Sequence, residues 1–152
     1  MSREFREKDA DTLVRIFQEA FNDEIARGMP RLKPENFIEH SKRPGVKIFV
    51  TEGDRGSVVG FLTLTEGSME VPAQIHMVAV QKEKRGKGVG KALVKRALEH
   101  ARAVGKKKVK LFTRPWNIPM RKVCVELGFI PEACLRREFL NEDVILYSAF
   151  LE

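Results

Sequence analysis

The sequence has very few cysteines. Only two of its 152 residues are cysteines, Cys124 and Cys134, and no histidine cluster stands near them. A Cys-x-x-Cys pair, which marks many zinc sites and redox motifs, is absent. The spacing also argues against a disulfide scaffold, which small secreted proteins use to supplement a limited core. We therefore expect free thiols in a reducing compartment and no bound metal.

Long hydrophobic runs are absent as well. No apolar stretch approaches the ~18 residues that a membrane helix needs, and residues 1–8 contain no apolar segment of the kind found in signal peptides. Hydrophobic residues make up 43% of the chain and charged residues 32%, which argues against disordered and collagen-like proteins. The sequence predicts a soluble cytoplasmic protein with one domain over residues 1–152 and no membrane partner.

Acidic residues are scarce in one part of the chain. The net charge is +7, but residues 82–110 contain twelve Lys or Arg and only two Glu, so this segment carries net +10 and the remainder net −3. A basic segment of this kind indicates an anionic partner bound at one place. One interpretation is a non-catalytic nucleic-acid-binding protein that uses residues 82–110. Aromatic side chains for base stacking are not interleaved with these cations, so nucleic acid is the less favoured partner.

The hydrophobic periodicity changes along the chain from helical to extended. An apolar face after Asp9 and Asp11 predicts an N-terminal helix, and short apolar runs from residue 47 predict a hairpin followed by a buried strand. A strand, a long helix and another strand over residues 75–113 predict a parallel pair with a right-handed crossover. The fold class is therefore α/β. We expect helices at residues 9–21, 34–38, 88–105 and 119–128, and strands at residues 47–51, 57–65, 75–80, 108–113 and 143–150.

A glycine-rich, basic loop separates the predicted central strand from the long helix. Its sequence is Arg85-Gly86-Lys87-Gly88-Val89-Gly90-Lys91. Glycines let a backbone wrap closely around a ligand, and the first turn of a helix offers unpaired N–H groups at its positive end. With the side chains of Arg85, Lys87 and Lys91, such a loop suits a pyrophosphate. It matches neither a Walker loop nor a dinucleotide fingerprint, and a flexible loop before a basic helix is the alternative.

Two segments together resemble one known family. The run from Arg85 to Gly90 resembles the Gln/Arg-x-x-Gly-x-Gly/Ala motif of the GNAT acyltransferase superfamily, and an apolar strand ending in Val80 precedes it as in that family. At the expected distance, Asn117 and a helix ending Leu-Gly-Phe at residues 127–129 resemble the family's Asn-x-x-Ala…Tyr…Leu-Gly-Phe segment. The matched pieces span about residues 75–130, and two linked motifs in register are a specific signal.

This resemblance implies a GNAT fold, with a central mixed, V-splayed sheet flanked by helices. It also implies an N-acetyltransferase that moves acetyl from acetyl-CoA directly to an amine in a ternary complex, the amine being a small molecule, a protein N-terminus or a lysine. By matching position, the backbone of Val78 and Val80 would run along the pantetheine arm, and the N–H of Val78 would polarise the thioester carbonyl. Residues 85–91 would hold the pyrophosphate, and Asn117 would contact the pantetheine. Dimers are frequent among similar proteins, so a homodimer stays open.

Two positions depart from the family pattern. Met120 replaces the usual Ala, and Cys124 stands where the family has a Tyr that acts as general acid. The resemblance therefore makes Cys124 the candidate acid. Tyr147, the only tyrosine of the chain, is the alternative if the fold brings it inward.

His76 is the candidate general base. The stretch from His76 to Val80 is similar to a His-Ala-Leu-Ala-Val stretch within the family, whose histidine is implicated in proton removal. In an ideal strand His76 lies on the same side as Val78 and Val80, although a bulge would rotate this register. A hydrogen-bonded core histidine, with water carrying the proton, is the alternative.

The acceptor is the part of the reaction that the sequence specifies least. In this fold the N-terminal helices and the last strands line the acceptor side, and acidic residues there would suit a cationic amine. The acidic residues of the predicted N-terminal helical region are Glu19, Asp23, Glu24, Glu35 and Glu39.

Overall fold

The protein is described by a computed structural model that covers residues 1–152. It contains seven strands and five α-helices. The strands are β1 (Ser2–Glu4), β2 (Val46–Glu52), β3 (Val58–Thr65), β4 (Ala73–Val80), β5 (Lys108–Thr113), β6 (Ile130–Phe139) and β7 (Glu142–Phe150). The helices are α1 (Ala10–Ala20), α2 (Asn22–Ala26), α3 (Pro34–Ser41), α4 (Val89–Ala103) and α5 (Ile118–Glu126).

All seven strands belong to one sheet with the order β1-β2-β3-β4-β5-β7-β6. Strands β4 and β5 are parallel and every other neighbouring pair is antiparallel, which confirms the predicted mixed sheet. Helix α4 connects β4 to β5, as expected for a parallel pair. The β4–β5 pairing comprises only three residue pairs, from Ala73–Val109 to Ile75–Leu111. Beyond Ile75 the two strands separate, and this splay opens the sheet at the carboxyl end of β4.

A β-bulge in β4 lies at the start of the splay. Met77 pairs with Thr63 of β3 and Ile75 pairs with Leu64, so His76 has no partner across the ladder. The extra residue reverses which face the following side chains occupy. Ile75 accordingly packs in the core beneath α4, whereas Met77 packs against the core beneath α1 and α3.

The two faces of the sheet bury separate hydrophobic cores. The larger core lies between the sheet and helices α4 and α5, and includes Leu93 and Leu98 on one stripe of α4. The smaller core lies under α1 and α3, where Phe37 stacks edge-on against Phe61 with ring centroids 5.3 Å apart. Because helices cover both faces, the central strands are nearly continuous apolar runs. No helix is both long and apolar enough to cross a membrane.

The predicted hairpin over β2 and β3 is confirmed, whereas the predicted N-terminal helix divides at Phe21 into α1 and α2. Strand β6 and the three-residue strand β1 were not predicted from periodicity. Strand β6 is exposed along most of its length, contains Pro131 and carries two irregularities in its pairing with β7. An exposed edge strand with bulges shows no clean apolar alternation, so its sequence resembles a loop.

A partly buried ion pair joins β1 to the start of α1. Arg3 donates two hydrogen bonds to Asp9, at 2.8 and 2.9 Å, and the backbone N–H of Arg6 donates another at 2.7 Å. Burial favours the neutral acid, but these hydrogen bonds outweigh it and lower the pKa of Asp9. The ionised carboxylate therefore stabilises the fold above its unfolded pKa of ~3.9, and this contribution is lost as the pH falls through the lower folded value.

We expect Asp9→Asn to lower the free energy of unfolding at pH 7 by about 1.5–3 kcal/mol, because it removes the charged acceptor of two hydrogen bonds from Arg3 and leaves Glu52 as the remaining charged partner of this guanidinium. Urea denaturation measures the loss, which should shrink when the comparison is repeated below pH ~4. Glu7→Gln is the matched control, since Glu7 pairs with Lys42 on the exposed surface. Its expected cost is below ~0.5 kcal/mol. Equal losses in the two variants would contradict this account.

Candidate active site

The loop between β4 and α4 presents a row of unpartnered backbone donors. The N–H groups of residues 86–91 donate no hydrogen bond within the protein, and the first to do so is that of Ala92, to the carbonyl of Gly88 at 3.0 Å. Gly86 and Gly88 have φ angles of 75° and 84°, a left-handed conformation that favours glycine. Gly88 is the N-cap of α4, so the positive end of the helix dipole faces the same loop. The arrangement suits a large anion with several oxygens.

Cationic side chains surround this row of donors. Arg85 donates from Nε to the carbonyl oxygen of Val80 at 2.9 Å, which fixes its guanidinium against the end of β4. Lys87 is exposed, and Lys91 lies on the first turn of α4, 3.4 Å from Glu126. The structure thus brings together the glycines and cations that the sequence predicted, and their donor chemistry fits a pyrophosphate.

The separated edge of β4 continues from this loop. Gln81 donates from its backbone to Val59 of β3 at 2.8 Å, and bonded and non-bonded residues alternate in an antiparallel pair. Residues 77, 79 and 81 therefore face β3, whereas the backbone N–H and C=O groups of Val78 and Val80 point into the gap toward β5. An extended ligand lying in the gap would meet the N–H groups of both residues and the carbonyl of Val78, because the carbonyl of Val80 accepts a hydrogen bond from Arg85. This direction agrees with the expected contacts of Val78 and Val80.

Asn117 lies across the gap at the N-cap of α5. Its side-chain oxygen accepts a hydrogen bond from the backbone N–H of Met120 at 3.3 Å. Asn117 and Met120 both line a cavity at the splayed end of the sheet. The cap therefore fixes the start of α5 at the side of the gap where the resemblance places Asn117.

This cavity has a volume of about 480 Å³ and opens beside the bulge of β4. Its walls come from β4, β5, the start of α5, the segment around α2 and the end of β6, and a volume in this range suits a small-molecule ligand. Its aromatic lining residues are Phe21, Phe112, Trp116 and Phe139. Its ionisable lining residues are Glu24, His76, Arg114 and Glu138.

His76 is exposed and lines this cavity. The shared face with Val78 and Val80 that an ideal strand would give is not found, because β4 has a bulge at His76, the alternative named from the sequence, and the bulge reverses the register. Its Nε2 lies 2.8 Å from the hydroxyl oxygen of Thr65, which orients the ring. Desolvation by the surrounding walls, with a smaller effect of His40, lowers the pKa of His76 below its usual value. The imidazole is therefore neutral at pH 7 and able to accept a proton.

The two candidate acids lie in the larger core and not in the cavity. Cys124 is fully buried, and burial raises the pKa of its thiol to about 12. Tyr147 is also buried, and its hydroxyl accepts a hydrogen bond from Arg121 at 3.2 Å. A thiol with so high a pKa is poorly matched to protonating another thiolate. These positions favour packing roles for both residues.

Of the five acidic residues named from the sequence, Glu24 alone lines the cavity. Glu19 instead accepts a hydrogen bond from the backbone of Lys82 at 2.6 Å. Arg114 and Glu138 line the cavity but were not predicted. Arg114 directly follows β5, and a charged residue at a strand end was its only signal, whereas Glu138 lies on the unpredicted strand β6. No group of three or more His, Cys, Asp or Glu side chains is arranged to hold a metal ion.

The fold is similar to solved structures over nearly its whole length. The structure of yncA, a putative acetyltransferase from Salmonella typhimurium with its cofactor acetyl-CoA, matches with a TM-score of 0.87 and 20% identity, over 100% of this chain and 94% of that chain. Spermidine N-acetyltransferase from Vibrio cholerae, in complex with CoA and spermine, matches with a TM-score of 0.85 and 19% identity, over 99% and 94% of the two chains.

Sequence comparison agrees with the fold. Mycothiol acetyltransferase from Corynebacterium glutamicum is 34% identical over 82 residues, which are 54% of this chain and 27% of that protein. The chain thus matches about a quarter of the length of this curated relative. The sequence pattern of the acetyltransferase (GNAT) family matches residues 10–129. This region contains residues 85–91, which we call the donor loop, together with the bulged strand β4 and the start of α5. The chain therefore belongs to the acetyltransferase (GNAT) family, a family of acyltransferases.

Proposed function

We propose that the protein transfers acetyl from acetyl-CoA directly to an amine while both are bound. The observation that carries this proposal is the continuity of three features along one edge of β4. They are the unpartnered N–H groups of residues 86–91, the backbone edge at Val78 and Val80 that faces the gap, and the cavity at the bulge. A long ligand with a pyrophosphate at one end can bind along this edge and place its other end beside the cavity.

The donor contacts follow from the chemistry of these features. Residues 85–91 bind the pyrophosphate through backbone N–H groups and flanking cations. Val78 and Val80 hydrogen-bond along the pantetheine arm, and Asn117 contacts it from the start of α5. Bound acetyl-CoA supplies an activated thioester. The backbone N–H of Val78 stabilises negative charge that develops on the carbonyl oxygen.

His76 is the proposed base for the incoming amine. An amine reacts only as its free base, so a proton must leave before or during attack. His76 lines the acceptor cavity, its pKa is lowered, and Thr65 orients its ring. Similarity to the spermidine N-acetyltransferase that is complexed with CoA and spermine supports an amine acceptor.

A screen of amine acceptors tests this function. Purified protein, acetyl-CoA and each amine are incubated together. A colorimetric thiol reagent measures the free CoA that is released, and mass spectrometry identifies the acetylated product. We expect thiol release that depends on the amine and equals the acetylated amine formed. The contrary result is the absence of amine-dependent release together with tight binding of RNA or DNA that weakens steeply with salt. That outcome would favour a nucleic-acid-binding protein using residues 82–110.

The role of Cys124 can be separated from packing by substitution. We expect Cys124→Ala to keep kcat within about threefold and to lose about 1 kcal/mol of stability, because it removes a buried sulfur from the core. Steady-state kinetics across pH and thermal unfolding measure the two effects. A loss of 10² or more in kcat that is largest on the alkaline side, with unchanged CoA affinity, would establish the thiol as the acid.

A further inference from the structure

A network of buried charges forms the cavity wall contributed by α2 and the end of β5. The side chains of Glu24 and Arg114 are only 8% and 10% exposed, and both line the cavity. Nη1 of Arg114 lies 3.5 Å from Glu24 and 3.3 Å from Glu142, yet it makes a hydrogen bond with neither. The Glu24 carboxylate thus lies near the Arg114 guanidinium but accepts no hydrogen bond from Nη1. The oxygens of Glu24 are therefore able to accept a hydrogen bond from a ligand.

The carboxylates of this network outnumber its cations. Glu142 is shared between Arg114 and Arg27, whose Nη1 lies 3.5 Å away, and Arg27 also faces Asp23 at 3.6 Å. The guanidinium groups of Arg27 and Arg114 therefore lie near three carboxylates, those of Asp23, Glu24 and Glu142. Of these carboxylates, only that of Glu24 lines the cavity. Glu138 adds a further negative charge to the same lining.

Arg114 is poorly placed to bind an anionic ligand. Its guanidinium lies over the ring of Phe139 at 4.4 Å and over that of Trp116 at 5.4 Å, and two carboxylates lie at its edge. Rings and carboxylates already occupy its surroundings, so an incoming carboxylate would meet Glu24 and Glu142 at close range. Aromatic walls and a buried carboxylate favour a cation instead.

We infer that Glu24 binds a second ammonium group of the acceptor, so that the protein prefers amines that carry a positive charge at their far end. This inference rests on the proposed function. His76 on β4 and Glu24 on α2 line the same cavity from different elements, which leaves room for one neutral reacting amine and one charged amine. Arg114 is a positioning residue that holds the Glu24 carboxylate in place.

Three acceptors with the same number of carbons, four, test the preference directly. Butylamine, 1,4-diaminobutane and 4-aminobutanoate present a methyl, an ammonium and a carboxylate at the end opposite the amine. We expect kcat/KM to be about 10- to 100-fold higher for the diamine than for butylamine, the range for one charge-assisted hydrogen bond, with the amino acid poorest. Equal values for the first two, or a preference for the amino acid, would overturn the inference.

Substitution of Glu24 assigns the preference to this residue. Glu24→Gln should raise KM for the diamine about 10- to 100-fold, leave kcat nearly unchanged, and leave butylamine kinetics unaffected. Glu35→Gln is the matched control, since Glu35 is exposed and does not line the cavity. A fall in kcat for both acceptors in Glu24→Gln would instead indicate a role in proton transfer and contradict the inference.

The two proposals fail in different ways. If the wild-type protein acetylates none of the three acceptors and no other amine, the proposed function fails. If it acetylates them without preferring the diamine, only the inference about Glu24 fails. Because the wild-type comparison needs no variant, the inference stays testable even if Glu24→Gln does not fold.

Discussion

Gly88→Glu is expected to abolish acetyl-CoA binding in a protein that still folds. No atom lies within 4 Å of a Cβ built at Gly88, so the first carbon of the new side chain meets no neighbouring atom. Its φ of 84° strains any other residue by about 1–2 kcal/mol, which a domain with 5–15 kcal/mol of stability tolerates. The added carboxylate places negative charge among the unpartnered N–H groups of residues 86–91, which are the proposed site of the pyrophosphate. Calorimetry with CoA should show a loss of affinity of at least 100-fold.

Gly105→Glu is the control for this substitution. Gly105 follows α4 at its opposite end, has a φ of 86°, and likewise has no atom within 4 Å of a built Cβ. The two variants carry the same backbone strain and the same new charge, and they differ in their distance from the donor loop. We expect Gly105→Glu to bind CoA like the wild type. Unchanged CoA affinity in a folded Gly88→Glu protein would contradict the proposal that this loop binds the pyrophosphate.

His76→Gln is expected to lower kcat by about 10²–10⁴ and to keep CoA binding, the range for removing one general base. The sign of the pH effect follows from the lowered pKa. In the wild type, activity with saturating amine should rise with pH, reach half of its maximum below pH 6.5 and level off at higher pH. The reason is that only the neutral imidazole accepts a proton. Glutamine cannot titrate, so the acidic limb should flatten in the variant. Initial rates from pH 5 to 9 measure both effects.

His100→Gln is the control for the histidine substitution. His100 lies on α4 and pairs with Glu66, and it does not line the cavity. We expect this variant to keep both kcat and the acidic limb. Full activity and an unchanged pH profile in His76→Gln would make His76 a structural residue and leave water as the proton carrier. The assignment of the donor loop would stand under that result.

The donor side of the site was predictable because it depends on local sequence. Glycines at positions 86 and 88 adopt the left-handed φ that a tight anion loop needs, and the helix that follows supplies free N–H groups at its first turn. Both features lie within a few residues of each other. The periodicity of residues 75–113 likewise predicted the parallel pair of strands, β4 and β5.

The acceptor side was predictable only in part: the sequence named His76 and Glu24, which both line the cavity, but the rest depends on register and on distant elements. One extra residue at His76 reverses the face of every side chain after it in β4, and no sequence signal marks a bulge there. The charge network joins Glu24 of α2, Arg114 after β5 and Glu142 at the start of β7. These residues meet only once the sheet has formed. The hairpin of β6 and β7 encloses them, and the sequence predicted β7 but not β6.

The most direct test of the account is the amide NMR spectrum of the 17.4 kDa protein during titration with CoA. We expect the largest downfield amide proton shifts on residues 86–91 and on Val78 and Val80, because these N–H groups lack partners in the protein or face the gap. Shifts that spread instead over the exposed basic face of α4, with residues 86–91 unchanged, would contradict it.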